Sequence, residues 1–345
     1  MINRLVLVFL LYGVFSNITF GQNNKLRVVF WNLENLFDTR DDTLKLDNEF
    51  LPESKRHWDN HRFYKKLNNT YKVIIGIGEW DPPAMIGLCE VENRYVLNQL
   101  IYETPLKNFN YGIVHYESPD RRGIDVAFLY RKSIFTIDTS LAVSIRFPFD
   151  PGSRTRDILY IRGRIITGDT LHLYVNHWPS RYGGYLETKP KRNFVAEILK
   201  SHTDSLFRFN PSAKIIVMGD FNDDPTDESI SQYLMTFADT LGMRTDALYN
   251  LMALNKSDNF EGTLKYQQDW NTFDQFIVSG SLMYGSSLLI SNKKASIFHP
   301  GYLLEPDDKF LGSKPFRTYS GFKYNGGFSD HLPVYLDLIY NDQTE

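Results

Sequence analysis

Cysteine is almost absent. Cys89 is the only one in 345 residues, so an intramolecular disulfide is impossible. The fold has to be held by its core, even in an oxidising compartment. Cys89 follows the apolar stretch Met85 to Leu88 and reads as a buried structural thiol rather than a nucleophile. Excess basic charge is also missing. The formal net charge is −3, so no global field draws polyanions to the surface, and contact with nucleic acid has to be local or metal-mediated. No Pro/Gly/Ser linker, low-complexity tract or internal repeat divides the chain, which points to one domain over residues 22–345. The N-terminal apolar run Leu5 to Phe15 is too short to span a bilayer comfortably. It follows Arg4 and gives way to the more polar Ser16 to Gly21, the order of a secretory signal peptide. Residues 1–21 are therefore expected to be a cleaved leader, with the mature chain secreted or periplasmic. The alternative is an uncleaved membrane anchor. No other membrane contact and no obligate protein partner is expected.

What the chain does have is apolar material: 42% hydrophobic and 15% aromatic residues, ample for a large core. Strands are predicted at Leu26 to Trp31, Ala84 to Cys89, Tyr111 to Tyr116, Asp125 to Tyr130, Ile134 to Val143, Lys214 to Met218, Phe273 to Ser279 and Leu332 to Leu338. Asp157 to Ile166 and Leu171 to Asn176, turning at Gly168-Asp169, predict a hairpin. Helical spacing appears at His61 to Trp80, Arg94 to Tyr102 and Glu187 to Phe207. Many strands with few helices predict an α/β (α+β) fold of two mixed sheets packed face to face, helices outside.

The polar groups gather at strand ends. Val217-Met218-Gly219-Asp220-Phe221-Asn222 ends a buried run with a carboxylate and, two residues on, an amide. Such a pair suits the activation of water and the holding of an anionic oxygen; the plain alternative is an Asx-rich turn. Asn32, Glu90 and His177 each follow an apolar run, while Asp274 and Asp330-His331 each precede one. Glu90, Asp330 and the Asn32 amide oxygen are hard donors of the kind Mg²⁺ takes. His177 and His331 supply groups able to move protons near neutral pH.

Six segments occur in order: Val29-Phe30-Trp31-Asn32, Gly87-Leu88-Cys89-Glu90, Asn176-His177-Trp178-Pro179, Gly219-Asp220-Phe221-Asn222, Phe273-Asp274-Gln275-Phe276 and Phe328-Ser329-Asp330-His331. Together they resemble the endonuclease/exonuclease/phosphatase superfamily over about residues 26 to 340. The resemblance implies a four-layer α/β sandwich and Mg²⁺- or Mn²⁺-dependent cleavage of a phosphoester. It implies Glu90 as principal metal ligand with Asn32 and Asp330 beside it. Asp220 would activate the attacking water, Asn222 hold a phosphate oxygen, and His331, paired with Asp274, contact the scissile phosphate. His177 matches the deoxyribonuclease and sphingomyelinase branches and departs from the abasic-site branch. The expected activity is a secreted phosphodiesterase, foremost a nuclease. The alternatives are a phosphatase or phospholipase-type diesterase, or a catalytically dead binding module.

Weaker signals complete the reading. Asp125 is a candidate to orient His177, and Arg122 and Arg181 are candidates to hold phosphate, against the alternative of loop salt bridges. Arg154, Arg156, Lys189, Lys191 and Arg192 read as either a basic rim or a solvated face. Glu34 is either a site residue or a turn cap. His115 reads as an ordinary histidine. The segments Asp38 to Asn60 and Asn292 to Asn325 are the expected selectors of substrate.

Overall fold

The computed structural model describes residues 24–340 apart from Trp80, residues 255–259 and Ser286. The expected leader lies outside the described residues. No described helix is long and apolar enough to cross a membrane.

The chain runs β1 (Lys25–Leu36), α1 (Asn60–Gly78), β2 (Met85–Val91), α2 (Arg94–Tyr102), β3 (Tyr111–His115), β4 (Asp125–Arg131) and β5 (Phe135–Val143). It continues through β6 (Ile158–Ile165), β7 (Thr170–His177), α3 (Tyr185–Phe209), β8 (Lys214–Asp220), β9 (Thr236–Phe237), β10 (Leu248–Asn250) and α4 (Leu251–Leu254). Then come β11 (Leu264–Tyr266), β12 (Asp269–Asn271), β13 (Asp274–Ser279), α5 (Ser281–Tyr284) and β14 (Leu288–Ile297). Short hairpins β15 (Leu304–Pro306) with β16 (Ser313–Pro315) and β17 (Tyr319–Ser320) with β18 (Lys323–Tyr324) precede β19 (Val334–Tyr340).

Two mixed sheets result, ordered β14-β19-β1-β2-β4-β3 and β5-β6-β7-β8-β13-β10-β9. Most pairs are antiparallel; β1 with β2, β7 with β8 and β9 with β10 are parallel. The mixed two-sheet architecture and the β6–β7 hairpin are as expected from the sequence. Strand alternation shows why the sheets stack. Ile216 and Met218 join the apolar cluster that also holds Phe30 and Leu88, whereas Ile215 and Val217 join a second cluster with Val195 and Leu199 of α3. One face of β8 thus meets the other sheet and the opposite face meets a helix. The sheets approach closely at Gly87, where an added Cβ would sit 2.6 Å from Met218 Sδ. Cys89 is fully buried among these residues, and burial pushes its thiol well above the ordinary value.

Helix starts follow local chemistry. Asp59 caps α1 by accepting from the Arg62 amide, and Asn93 caps α2 by accepting from the Val96 amide. Just before that second cap, buried Glu92 accepts from the Asp38 amide at 2.6 Å. Burial, reinforced by Asp38, Asp47 and Asp42, pushes its carboxyl up to about 8. The fold therefore retains a proton that the unfolded chain releases near 4.5. This contribution to stability is full below 4.5 and disappears as pH rises through about 8. Glu92→Gln keeps the acceptor without the charge. It is expected to be more stable than the wild type at pH 9 by about 2 kcal/mol, with the difference vanishing at pH 5. Urea unfolding at both pH values measures this, and an equal difference at both would refute it.

Candidate active site

Strand register assembles the site. His177, the last residue of β7, lies opposite Asp220, the last residue of β8. Asp220 in turn lies opposite Asp274, the first residue of β13. Directly opposed residues share a face, so three functional groups stand in one row across three strands. The other sheet supplies its residues through irregularities. The β1–β2 register shifts between Asn32 and Leu36, and the β2–β4 register shifts between Cys89 and Val91. Glu34, Asn35 and Glu90 all have positive φ, between 51° and 58°, as a bulge that re-aims side chains requires. Asn222 shares this conformation, with φ 51°. Left-handed backbone in non-glycine residues is costly and concentrates at functional positions. The Ser329-Asp330-His331 segment is pinned by Ser329 Oγ donating to Asn32 O at 2.7 Å and Trp31 Nε1 donating to His331 O at 2.9 Å.

The side chains converge on Asp220. Its Oδ1 accepts from the Asn222 amide at 2.9 Å, and its Oδ2 accepts from Asn32 Nδ2 at 3.0 Å. His177 Nε2 is 3.6 Å and His331 Nε2 3.8 Å from the same Oδ2. His177 Nε2 also lies 3.9 Å from Glu90 Oε1. His331 Nδ1 donates to Asp274 Oδ2 at 2.7 Å. His177 Nδ1 is buried without a hydrogen-bond partner. With two carboxylates facing Nε2 and none facing Nδ1, we assign the His177 proton to Nε2.

The two imidazoles differ in charge. Burial works against protonation of His331, but Asp274 and Asp220 outweigh it and hold the ring well above its ordinary value. Burial lowers His177 well below its ordinary value, and Arg156, Arg122 and His331 lower it further. His331 is thus a cation and His177 neutral near pH 7. Burial and the Asp274 charge push the Asp220 carboxyl up to about 6, against the opposing pull of His331. A carboxylate with that value is a better proton acceptor than an ordinary aspartate.

Beside this row lies an oxygen-rich set. Glu90 Oε2 accepts from the Asn35 amide at 2.9 Å, Asn32 Oδ1 accepts from the Glu34 amide at 2.9 Å, and Asp330 Oδ2 accepts from Arg317 Nη2 at 2.8 Å. Lys66 and Arg317 both feel Glu34, Glu90 and Asp330, so three carboxylates surround the same two cations. Fully buried Lys66 donates to Thr318 Oγ1 at 2.7 Å and to Phe328 O at 2.5 Å. Burial lowers it to about 8 against the raising effect of those acids. Burial disfavours the Asp330 charge, but Arg317, His331 and Lys66 keep its carboxyl below the ordinary value. Glu90, Asp330 and the Asn32 oxygen fit a hard divalent cation. Ligand spacing is found in the clusters Asp220/Asp274/His331, Cys89/His177/Asp220 and, away from this centre, His115/Glu117/Asp125. The first already carries the His331 proton, and the second needs a thiol that burial keeps protonated, so the oxygen set has the better donor chemistry for a hard cation.

Not every residue singled out in the sequence reaches this centre. Asp125 does not orient His177. Its Oδ2 lies 3.1 Å from His115 Nε2 and its Oδ1 accepts from the Ser118 amide at 2.8 Å. His115 is the partner of Asp125, an ordinary structural histidine. Arg181 is engaged with Asp227 at 2.6 Å and Asp223 at 3.1 Å, donates to Asn222 O at 2.8 Å, and stacks 4.5 Å over Phe273. It supports the Asn222 turn instead of offering a free cation. Arg122 is 48% exposed, 3.7 Å from Asp120, and close enough to depress His177. Arg156 is buried, bound to Asp120 at 3.2 Å and to Trp178 O. Glu34 does not cap a local turn but lies beside the oxygen set: its oxygens accept from Arg317 Nε at 3.1 Å and from the Thr318 amide at 2.7 Å. Arg317 and Lys66 went unmarked in the sequence. The Phe316-Arg317-Thr318 triplet, only a dozen residues before Asp330-His331, was the available signal.

Solved structures share this fold. An endonuclease/exonuclease/phosphatase family protein from Bacteroides thetaiotaomicron superposes with a TM-score of 0.56 at 16% identity, covering 92% of this chain and 95% of the other. The mannosyl-6-phosphatase of the same organism gives 0.57 at 16% identity, covering 91% and 100%. D. rerio TDP2 complexed with a single-strand DNA product gives 0.55 at 15% identity, covering 91% and 98%. No curated protein sequence matches the chain. The sequence model of the Endonuclease/Exonuclease/phosphatase family matches residues 27–340. The chain belongs to the endonuclease/exonuclease/phosphatase family, hydrolases of phosphoester bonds.

Proposed function

We propose that the protein is a secreted, Mg²⁺- or Mn²⁺-dependent phosphodiesterase that hydrolyses nucleic acid. The observation that carries this reading is the convergence of a neutral His177 and a cationic His331 on one carboxylate oxygen of Asp220. Direct attack by water on phosphorus needs a proton acceptor for the water and positive hydrogen-bond donors for the oxygens that gain charge. Asp220, held by Asn32 and the Asn222 amide, accepts the water proton. His331, charged and fixed by Asp274, donates to a non-bridging oxygen. His177 donates through Nε2 from the opposite end of the row, and the Asn222 amide group turns from Trp178 O to a phosphate oxygen. A divalent ion held by Glu90, Asp330 and Asn32 would add Lewis-acid charge at the phosphoryl oxygen and leaving group. The segment Asn176-His177-Trp178-Pro179-Ser180-Arg181 resembles that of bacterial extracellular nucleases, and the DNA-bound TDP2 shares the fold.

A second reading is a small phosphoester as substrate. The net charge of −3 and the internal pairing of Arg156 and Arg181 favour it, since neither arginine is free to track a polyanion. A screen over DNA, RNA, sphingomyelin and sugar or inositol phosphates separates the two. Turnover is expected with added Mg²⁺ or Mn²⁺ and to fall at least about 10³-fold in EDTA. Full activity in EDTA would refute the metal role. Cleavage of the leader after Gly21 is checked by N-terminal sequencing of the protein recovered from culture medium or periplasm.

A further inference from the structure

A cavity opens beside the oxygen-rich set. It measures about 230 Å³ and is walled by Glu34, Asn35, Arg56, Trp58, Arg317 and Tyr319. It lies between the two segments expected to select substrate, because Arg56 and Trp58 come from one and Arg317 and Tyr319 from the other. Two of its walls are bonded to the oxygen-rich set. The Asn35 amide donates to Glu90, and Arg317 bridges Glu34 at 3.1 Å and Asp330 at 2.8 Å. The cavity and the oxygen-rich set therefore share Asn35 and Arg317 as a common border.

Its chemistry is anionic recognition over an aromatic floor. Trp58 and Tyr319 are buried, with ring centroids 6.1 Å apart. Arg56 lies 5.1 Å over the Tyr319 ring and donates to Gly321 O at 2.8 Å, fixing the turn between β17 and β18. Gly321 has φ 62°, which the turn needs and other residues resist. Among the described residues, the only carboxylate paired with Arg56 is Glu49, at 3.0 Å and 61% exposed. An ion pair so open to water is weak and easily exchanged for a ligand anion. A guanidinium has five donors; Nε and Nη2 each use one on Glu49 and Nη1 uses one on Gly321, which leaves two. Arg317 is 42% exposed and faces the same space. The volume falls below the ~300–1,000 Å³ of drug-sized sites, which suits one sugar ring or one phosphate group.

We propose that this cavity is a substrate-selecting subsite that binds a second anionic group of the substrate, a phosphate distinct from the scissile one, through Arg56. The proposal rests on the phosphoesterase reading for the identity of the substrate, but the binding itself is separately testable. The second phosphate comes either from a neighbouring nucleotide or from a bisphosphorylated small molecule.

The experiment compares matched pairs with the full chain and Mg²⁺: a dinucleotide with and without a terminal phosphate, and a hexose bisphosphate with its monophosphate. In at least one pair the doubly charged member is expected to have kcat/KM about tenfold higher, the effect of a charge-assisted hydrogen bond. The responding pair identifies the source. Arg56→Gln should collapse that ratio toward one, and Arg56→Lys should retain most of it. Glu49→Ala, a change at an exposed side chain that does not threaten the fold, should raise the ratio by freeing Arg56. Ratios near one in both wild-type pairs, or a ratio unmoved by Arg56→Gln and Glu49→Ala alike, overturn the subsite. If no phosphoester is turned over, the phosphoesterase reading fails on its own. The subsite is then decided by calorimetry with a non-hydrolysable alkane diphosphonate and the matching monophosphonate. Tighter binding of the diphosphonate, lost in Arg56→Gln, supports it, and equal affinity overturns it.

Discussion

Asp220→Asn is expected to lower kcat about 10³-fold with little change in the fold. The side chain keeps its shape and its place at the end of β8, opposite both His177 and Asp274. What it loses is the capacity to accept a proton, a role worth about 10²–10⁴ in rate. Its pH dependence has a definite sign. With the carboxyl pushed up to about 6, wild-type kcat should rise as pH increases through that value and the carboxylate becomes available. The Asn variant should lack this rising limb. Stability should not suffer, since the substitution removes a buried charge that the surroundings already disfavour. Steady-state kinetics from pH 5 to 8, beside a thermal melt, decide the matter. A variant with more than about a tenth of wild-type kcat would remove Asp220 from the proton-accepting role.

His331→Ala should cost a comparable factor, about 10³ in kcat, and the combination with Asp274→Asn should cost little more than His331→Ala alone. Asp274 acts on the chemistry mainly through the 2.7 Å bond to His331 Nδ1, so once the imidazole is gone its own substitution removes only the smaller effect of its charge on Asp220. Alone, Asp274→Asn should lower the His331 value and move the alkaline limb of the kcat profile to lower pH. The stability linkage runs the same way. The folded ring titrates well above 6.5, so its contribution is complete below 6.5 and fades as pH rises through the folded value. The wild type should lose stability relative to Asp274→Asn across that alkaline window. A double variant whose loss is the product of the single losses would show the two residues acting independently.

The sequence shows those elements whose residues alternate or repeat without interruption. The α2 range Arg94–Tyr102 agrees at both ends, and the strand at Lys214 needs only two more residues to reach Asp220. The β14 strand is hidden because its centre is polar. The register with β19 breaks between Ile290 and Ala295, and Asn292 and Lys293 take positive φ there, which disperses the apolar pattern. At the site, groups placed at strand ends are legible because a strand end fixes where its side chain emerges. Which partner it then meets is not local information. Asp125 reads as well suited to His177, yet the β3–β4 pairing presents His115 to it first. Glu34 and Arg317 are 283 residues apart, and no spacing in the chain could have joined them.

The row His177, Asp220, Asp274 has a consequence for how such a protein can change over time. Its three members are aligned only because β7, β8 and β13 keep one registration, and side chains alternate between faces with each residue. Loss of a single residue from the middle of Lys214–Asp220 would turn the carboxylate toward α3 and leave the imidazoles facing hydrocarbon. Losses and gains in the 38–60 and 298–325 segments leave the registration of β7, β8 and β13 untouched. The lineage is therefore free to revise what it recognises by lengthening and shortening loops, while the reacting row is inherited as an indivisible unit.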